Sequence, residues 1–253
     1  MYFKLFNDNK KYKFIDITEL NSIYNKKNVE SLIFTSLKPS KLNKLSTLPN
    51  LSLFTNLKYL DCSYNQITTL SNLSKCVNLE ELNCSYNQIK ELSELSQCIK
   101  LEYLNCSNNN LTVLPNLSKC FNLIDLVCFD NQIKELTNLP SNLELISCSN
   151  NKITELSNLS KLKKLLCLHC QFNNLIKINL VDNLLYLKCN NNLLTFLDLS
   201  KCNNLKKLKC NNNRLTELTN LPINLETFNC AFNNFTTLPD ISKCNKLKKI
   251  KLL

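Results

Sequence analysis

Residues 57–70 read Leu57-Lys58-Tyr59-Leu60-Asp61-Cys62-Ser63-Tyr64-Asn65-Gln66-Ile67-Thr68-Thr69-Leu70. Their skeleton is Leu-x-x-Leu-x-Cys-x-x-Asn-x-Ile-x-x-Leu. With Ile or Phe at a few apolar places the same spelling occurs nine times, and the last copy carries Leu225, Phe228, Cys230, Asn233, Phe235 and Leu238. The leading Leu falls at 57, 79, 101, 123, 143, 165, 184, 205, 225 and 247, so the units are 19 to 22 residues long. A self-similar period of this size means a solenoid, in which each unit buries its apolar face only against its neighbours.

The residue types say why such a unit works. Leu-x-Cys alternates, so Leu and Cys point one way and the x residues the other, as in a strand. Stacked copies predict a parallel sheet. The Asn three residues after each Cys sits where the chain turns, and its amide can satisfy backbone groups that no strand pairs. The series is Asn65, Asn87, Asn109, Asn131, Asn151, Asn173, Asn192, Asn213 and Asn233. Beyond it, apolar residues recur at every third position, as in Ile67, Leu70, Leu73, Cys76 and Leu79. That spacing predicts an extended or 3₁₀ back rather than a full α-helix.

The pattern resembles the leucine-rich repeat family from Leu57 through Leu252, with a degenerate first repeat beginning near Val29. The unit lengths are similar to those of the short-repeat classes, including internalin-like proteins. The two 20-residue units that hold Leu139-Pro140 and Leu221-Pro222 resemble the Leu-Pro-rich repeats of some bacterial effectors. The resemblance implies a mostly β member of the α/β solenoids: a right-handed curved rod with a concave parallel sheet and a 3₁₀ or extended convex side. It also implies use of the concave face to bind another protein. The expected organisation is an N-terminal cap at 1–28, a hairpin plus short helix, followed by a solenoid of about ten repeats at 29–253 with the last truncated.

Composition narrows the function classes. Glycine is absent from all 253 residues. Phosphate loops, dinucleotide fingerprints and nucleophile elbows all rely on glycine and are therefore excluded. Asn is the next residue to tolerate left-handed backbone, so Asn108-Asn109-Asn110, Asn190-Asn191-Asn192 and Asn211-Asn212-Asn213 are expected to supply turns. The richness in Lys and Asn looks like the codon bias of an AT-rich genome.

The chain has 15 cysteines, nine in the strand column and five (Cys76, Cys98, Cys120, Cys202 and Cys244) at an apolar place on the back. Such thiols pack as small hydrophobes. The competing reading is oxidation, since adjacent strands lie about 4.8 Å apart. The odd total, and the lack of an apolar leader in Met1–Phe6, favour an intracellular, reducing location, taken as cytoplasmic.

At the N-terminus, Tyr2–Phe6 and Tyr12–Ile15 are expected to form a hairpin around Asn7-Asp8-Asn9, with a helix from Thr18 to about Lys27. Val29, Leu32 and Phe34 read as the first strand, and Ser36–Lys41 as an insertion. At the other end Leu247, Ile250 and Leu252 begin one more strand flanked by Lys248, Lys249 and Lys251. Edge lysines discourage further pairing, and the sharper alternative there is a homodimer contact.

Function must lie on side chains the core does not use, which are those flanking the buried strand Leu. One column runs Tyr59, Glu81, Tyr103, Asp125, Leu145, Cys167, Tyr186, Lys207, Thr227, Lys249. The other runs Asp61, Asn83, Asn105, Val127, Ser147, His169, Lys188, Lys209, Asn229, Lys251. The columns pass from acidic with tyrosines, through apolar, to lysine. Net charge follows: +5 over 1–56, −2 over 57–163 and +8 over 164–253.

An apolar and aromatic centre rimmed by charge suits a protein interface. The expected contacts are Tyr103, Asp125, Val127, Phe129, Leu145, His169, Phe172 and Tyr186. The alternative is nucleic acid or another polyanion at Lys188, Lys207, Lys209, Lys249 and Lys251. Cys167-Leu168-His169-Cys170 is no metal site, because Cys167 and His169 face out of a strand and Cys170 faces in. A single His removes most acid–base schemes, so the expectation is a non-catalytic scaffold or adaptor with no cofactor.

Overall fold

The computed structural model describes residues 2–6, 13–16, 28–34, 44–71 and 73–253. The expected hairpin turn at Asn7-Asp8-Asn9, the helix from Thr18 and the insertion at Ser36–Lys41 lie outside these residues. Along the chain run β1 (Tyr2–Phe6), β2 (Lys13–Asp16), β3 (Ser31–Ile33), β4 (Tyr59–Asp61), β5 (Glu81–Asn83), β6 (Tyr103–Asn105), β7 (Asp125–Val127) and β8 (Leu145–Ser147). There follow β9 (Glu155–Leu156), β10 (Cys167–His169), β11 (Lys177–Ile178), β12 (Tyr186–Lys188), β13 (Lys207–Lys209), β14 (Thr227–Asn229) and β15 (Lys249–Lys251).

The chain divides into two compact units: Met1–Leu126 with Asn138–Pro140, and Val127–Thr137 with Ser141–Leu253. In the first unit β3, β4, β5 and β6 pair in parallel, in sequence order. The strand β1 lies antiparallel to both β2 and β3. In the second unit β8, β10, β12, β13, β14 and β15 pair in parallel. There β9 and β11 make a separate parallel pair on the return path. The architecture is a mostly β, parallel-sheet solenoid.

Each repeat strand is only three residues long, and from β4 to β14 its middle residue (Leu60, Leu82, Leu104, Leu126, Ile146, Leu168, Leu187, Leu208 or Phe228) is buried. The column Cys that follows is buried too. The return path carries short 3₁₀ turns at Leu73–Lys75, Ser93–Gln97 and Asn158–Lys161, and the apolar residues at every third place are buried. Side chains spaced by three line up on such a turn, as the sequence spacing requires.

The back cysteines have a further role. The Cys98 thiol donates to the Leu73 carbonyl of the preceding coil at 3.6 Å, and Cys76, Cys120, Cys202 and Cys244 make the equivalent contact with Leu51, Cys98, Val181 and Pro222. Burial pushes these thiols up from their ordinary value, and in the strand column it takes Cys106, Cys148 and Cys189 each to about 12. Pro140 and Pro222 stand in the back cysteine's place in the two 20-residue units and are buried. Two residues before each, Asn138 and Asn220 are left-handed, at φ 54° and 55°. This tight turn is what shortens those units.

Coils are joined by the Asn series. The Asn173 amide donates to Cys148 O of the coil before at 3.0 Å and to Cys170 O of its own coil at 3.1 Å. Its oxygen accepts the Ile153 N–H at 3.0 Å. Asn87 makes the same set with Cys62, Cys84 and Ile67, and Asn213 with Cys189, Cys210 and Leu194.

Past Cys230 the columns open. Phe235 is half-buried and Leu238 is 51% exposed, although the repeat pattern would bury both. A coil shields its apolar residues between two neighbours, and these two have a described neighbour on one side only. Strand β15 is exposed along its whole length.

Removing Asn173 leaves the Ile153 N–H without its acceptor and takes one of two amide donors from each of Cys148 O and Cys170 O, which Asn151 and Asn192 still reach. Replacing Asn173 with Ala should therefore lower the stability of the second unit by about 1–3 kcal/mol, the range for a buried unsatisfied polar group. Chemical denaturation checks this, and an unchanged midpoint contradicts the role.

Candidate functional site

The outward side chains form two rows in the second unit. Leu145, Cys167, Tyr186, Lys207, Thr227 and Lys249 are register partners in one row. Ser147, His169, Lys188, Lys209, Asn229 and Lys251 are partners in the other. The sheet thus brings Leu145, His169 and Tyr186 together and continues them directly into the lysines. Val127 projects from β7 in this unit and is half-buried.

Phe129 and Phe172 sit in the loops beyond the strands at different places, one residue after Cys128 and two after Cys170 respectively. Phe172 is 55% exposed, whereas Phe129 is half-buried. Of the eight expected contacts, Tyr103 and Asp125 fall in the first unit and the other six in the second.

Electrostatics in the second unit are set by the lysine rows. His169 is half-buried, and its Nε2 lies 3.3 Å from Cys167 Sγ. Burial first, then the charges of Lys188 and Lys207, hold the imidazole down at about 4. It is therefore neutral near pH 7. Lys188 is lowered by burial and by Lys207 and Lys209, the cost of like charges side by side. Lys251 lies over the Phe232 ring at 5.1 Å from its centroid. Among the described residues none of Lys188, Lys207, Lys209, Lys249 and Lys251 has an ion-pair partner.

The first unit presents a different surface. Tyr59, Glu81 and Tyr103 are register partners, as are Asp61, Asn83 and Asn105. Burial raises the Tyr59 phenol, with Asp61 and Glu81 adding to it. Tyr103 is raised by burial, with Asp125, Glu81 and Asp61 adding. Next to these rows the rings of Tyr64 and Tyr86 stack at 4.3 Å between centroids and 9° between planes.

These two tyrosines follow a rule the sequence reading missed. The second residue after every column Cys is left-handed, with φ between 52° and 59°. Five of the nine coils place Asn or Asp there (Asn108, Asp130, Asn150, Asn191 and Asn212), which tolerate it. The other four place Tyr64, Tyr86, Phe172 and Phe232, all exposed. Left-handed backbone costs a bulky residue about 1–2 kcal/mol, a cost that Asn or Asp at the same place largely avoids. The aligned repeats held the signal: aromatic side chains in a position otherwise kept by Asn and Asp.

Among the described residues no group of three or more His, Cys, Asp or Glu is placed to hold a metal ion, and no helix is long and apolar enough to cross a membrane.

The depressed His169 titration has a consequence for stability. The unfolded chain takes up a proton near pH 6.5 and the native state only near 4, so this site favours the native state fully above pH 6.5 and loses that contribution as the pH falls towards 4. Between pH 7 and 4.5 the wild type should lose more stability than His169→Gln. Parallel losses in denaturation curves across that range contradict the assignment.

Comparison with known proteins agrees with this geometry. Residues 55–97 match a family model described as Leucine Rich repeats (2 copies). The functional domain of InlJ from Listeria monocytogenes, described as including a cysteine ladder, is 33% identical with a TM-score of 0.81, over 94% of this chain and 51% of that one. YopM from Yersinia enterocolitica WA-314 is 29% identical with a TM-score of 0.71, over 88% of this chain and 52% of that one. A plant peptide hormone receptor, RGFR1 in complex with RGF2, is 25% identical with a TM-score of 0.61, over 81% of this chain and 41% of that one. The chain therefore spans about half the length of the first two solved structures. No curated protein sequence matches. With its phased Leu, Cys and Asn columns, parallel coils and this likeness, the chain is a leucine-rich repeat protein of the internalin-like kind.

Proposed function

We propose that the chain is a non-catalytic interaction scaffold that holds a protein partner on the outward sheet face of its second unit. The supporting observation is the row Leu145–Cys167–Tyr186 with its lysine continuation. These side chains are exposed or half-buried and contribute nothing to the coil interior. Val127, Phe129, Leu145, His169, Phe172 and Tyr186 supply an apolar, uncharged contact area, and His169 stays neutral when desolvated. Interfaces of this kind set an apolar and aromatic centre inside a polar rim. The lysines at one end orient a partner with an acidic border and speed its encounter. That RGFR1 is described in complex with RGF2 supports a ligand-holding use of the same fold.

A second reading rests on one observation: the lysines of two adjacent rows lie in register without ion-pair partners among the described residues. That arrangement suits nucleic acid or another polyanion, with affinity falling steeply as salt rises.

One experiment separates the two. Leu145→Thr/Phe172→Asn installs residue types that other coils already carry at those places, so folding is preserved. Affinity capture from the native cell should recover a protein that this variant loses, with affinity reduced about tenfold or more, as for hot-spot residues. Retention of the partner by this variant contradicts the apolar site. Loss only in Lys188→Gln/Lys209→Gln, with salt-sensitive binding of random duplex, favours the polyanion.

A further inference from the structure

We infer that the first unit carries a second recognition site, on which Tyr59, Glu81 and Tyr103, with Asp61 and the stacked pair Tyr64 and Tyr86, take up an arginine-bearing peptide segment of a partner protein. The outward row of β4, β5 and β6 sets one carboxylate between two phenols, as Tyr59–Glu81–Tyr103. The neighbouring row begins with Asp61, and no outward position of these three strands carries a cation. Glu81 is exposed and has no ion-pair partner among the described residues. The surface is thus both aromatic and negative.

The stacked rings mark it as more than a solvated face. Tyr64 and Tyr86 are 54% and 43% exposed, so water rather than the core surrounds them. Both are held at left-handed backbone, φ 59° and 54°, where Asn stands in the next coil at Asn108. Their stack faces outward beside Asp61, whose charge reaches the phenols of both Tyr59 and Tyr64.

Arginine fits this chemistry. Its planar guanidinium lies flat on an aromatic ring while its N–H fork takes a carboxylate. A neutral sugar would use the rings and leave the carboxylates idle, and an anion would be repelled. The site also contrasts with the second unit, so the two faces select partners of opposite charge.

The inference shares with the proposed function only the premise that outward strand residues meet ligands. Because the sites lie on separate units, each can fail alone. The probe is a labelled nona-arginine peptide, compared with its citrulline counterpart, which keeps the shape and loses the charge. The whole chain carries a net charge of +11, so a general electrostatic effect works against such binding, and saturable binding points to a local site. Wild type should bind nona-arginine saturably and the citrulline peptide at least about tenfold more weakly, since charge supplies the attraction to ring faces and carboxylates.

Tyr64→Asn/Tyr86→Asn should weaken nona-arginine about tenfold, with Glu81→Gln also weaker and Leu145→Thr/Phe172→Asn unchanged. The Asn substitutions relieve left-handed strain, so the unfolding midpoint should hold or rise, which separates lost binding from lost folding. No saturable binding, equal affinity for the citrulline peptide, or undiminished binding by the tyrosine variant overturns the site.

Discussion

Everything in this structure depends on a side-chain amide that bridges two coils. Strands of three residues are short ladders, and the turn after each leaves carbonyls and amides without strand partners. Asn is the residue whose side chain can donate twice and accept at once. Asn109 shows the arrangement: its amide reaches Cys84 O at 3.0 Å and Cys106 O at 3.1 Å, while its oxygen takes Ile89 N–H at 2.9 Å. The acceptors are main-chain carbonyls of the inward column residues, Cys84 and Cys106 here and Phe34 for Asn65, so the register that aims the amide at them also turns those side chains inward. The hydrogen bonding and the apolar phase therefore enforce one another. The solenoid follows from that agreement more than from any single repeat's propensity.

The same constraint sorts the surface. Inward positions are fixed as Leu, Ile, Phe or Cys, and the bridging place is fixed as Asn. What varies is the pair of residues flanking each strand centre and the loop position two residues past the cysteine. In the first unit those places hold tyrosines and carboxylates. In the second they hold an apolar stretch that gives way to lysines, whose charges add to burial in depressing both His169 and Lys188. One backbone thus carries two surfaces of opposite electrostatic character.

Much of this was legible in the sequence, because the period is short and each column repeats many times. The inward cysteines, the Asn bridges and the three-residue spacing of the back were all readable from phase. Backbone angles were not. The Asn runs pointed to turns, but Tyr64, Tyr86, Phe172 and Phe232 occupy the same left-handed place, and a bulky ring there contradicts ordinary preference. The hydrogen bonds from back thiols to the preceding coil, such as Cys98 to Leu73, were also out of reach. They depend on how neighbouring coils are spaced, which no single repeat states. Leu238 escaped for a related reason: the pattern marks it as interior, and only the lack of a described second neighbour leaves it open.

The phase itself is tested most directly by counting thiols that react with a small water-soluble alkylating reagent in the folded protein. Fourteen cysteines are buried and Cys167 alone is half-exposed. Native labelling should therefore modify Cys167 rapidly and the rest only on unfolding, when all 15 react. Rapid native labelling of column members such as Cys62, Cys106 or Cys210 would contradict the stacked-coil account.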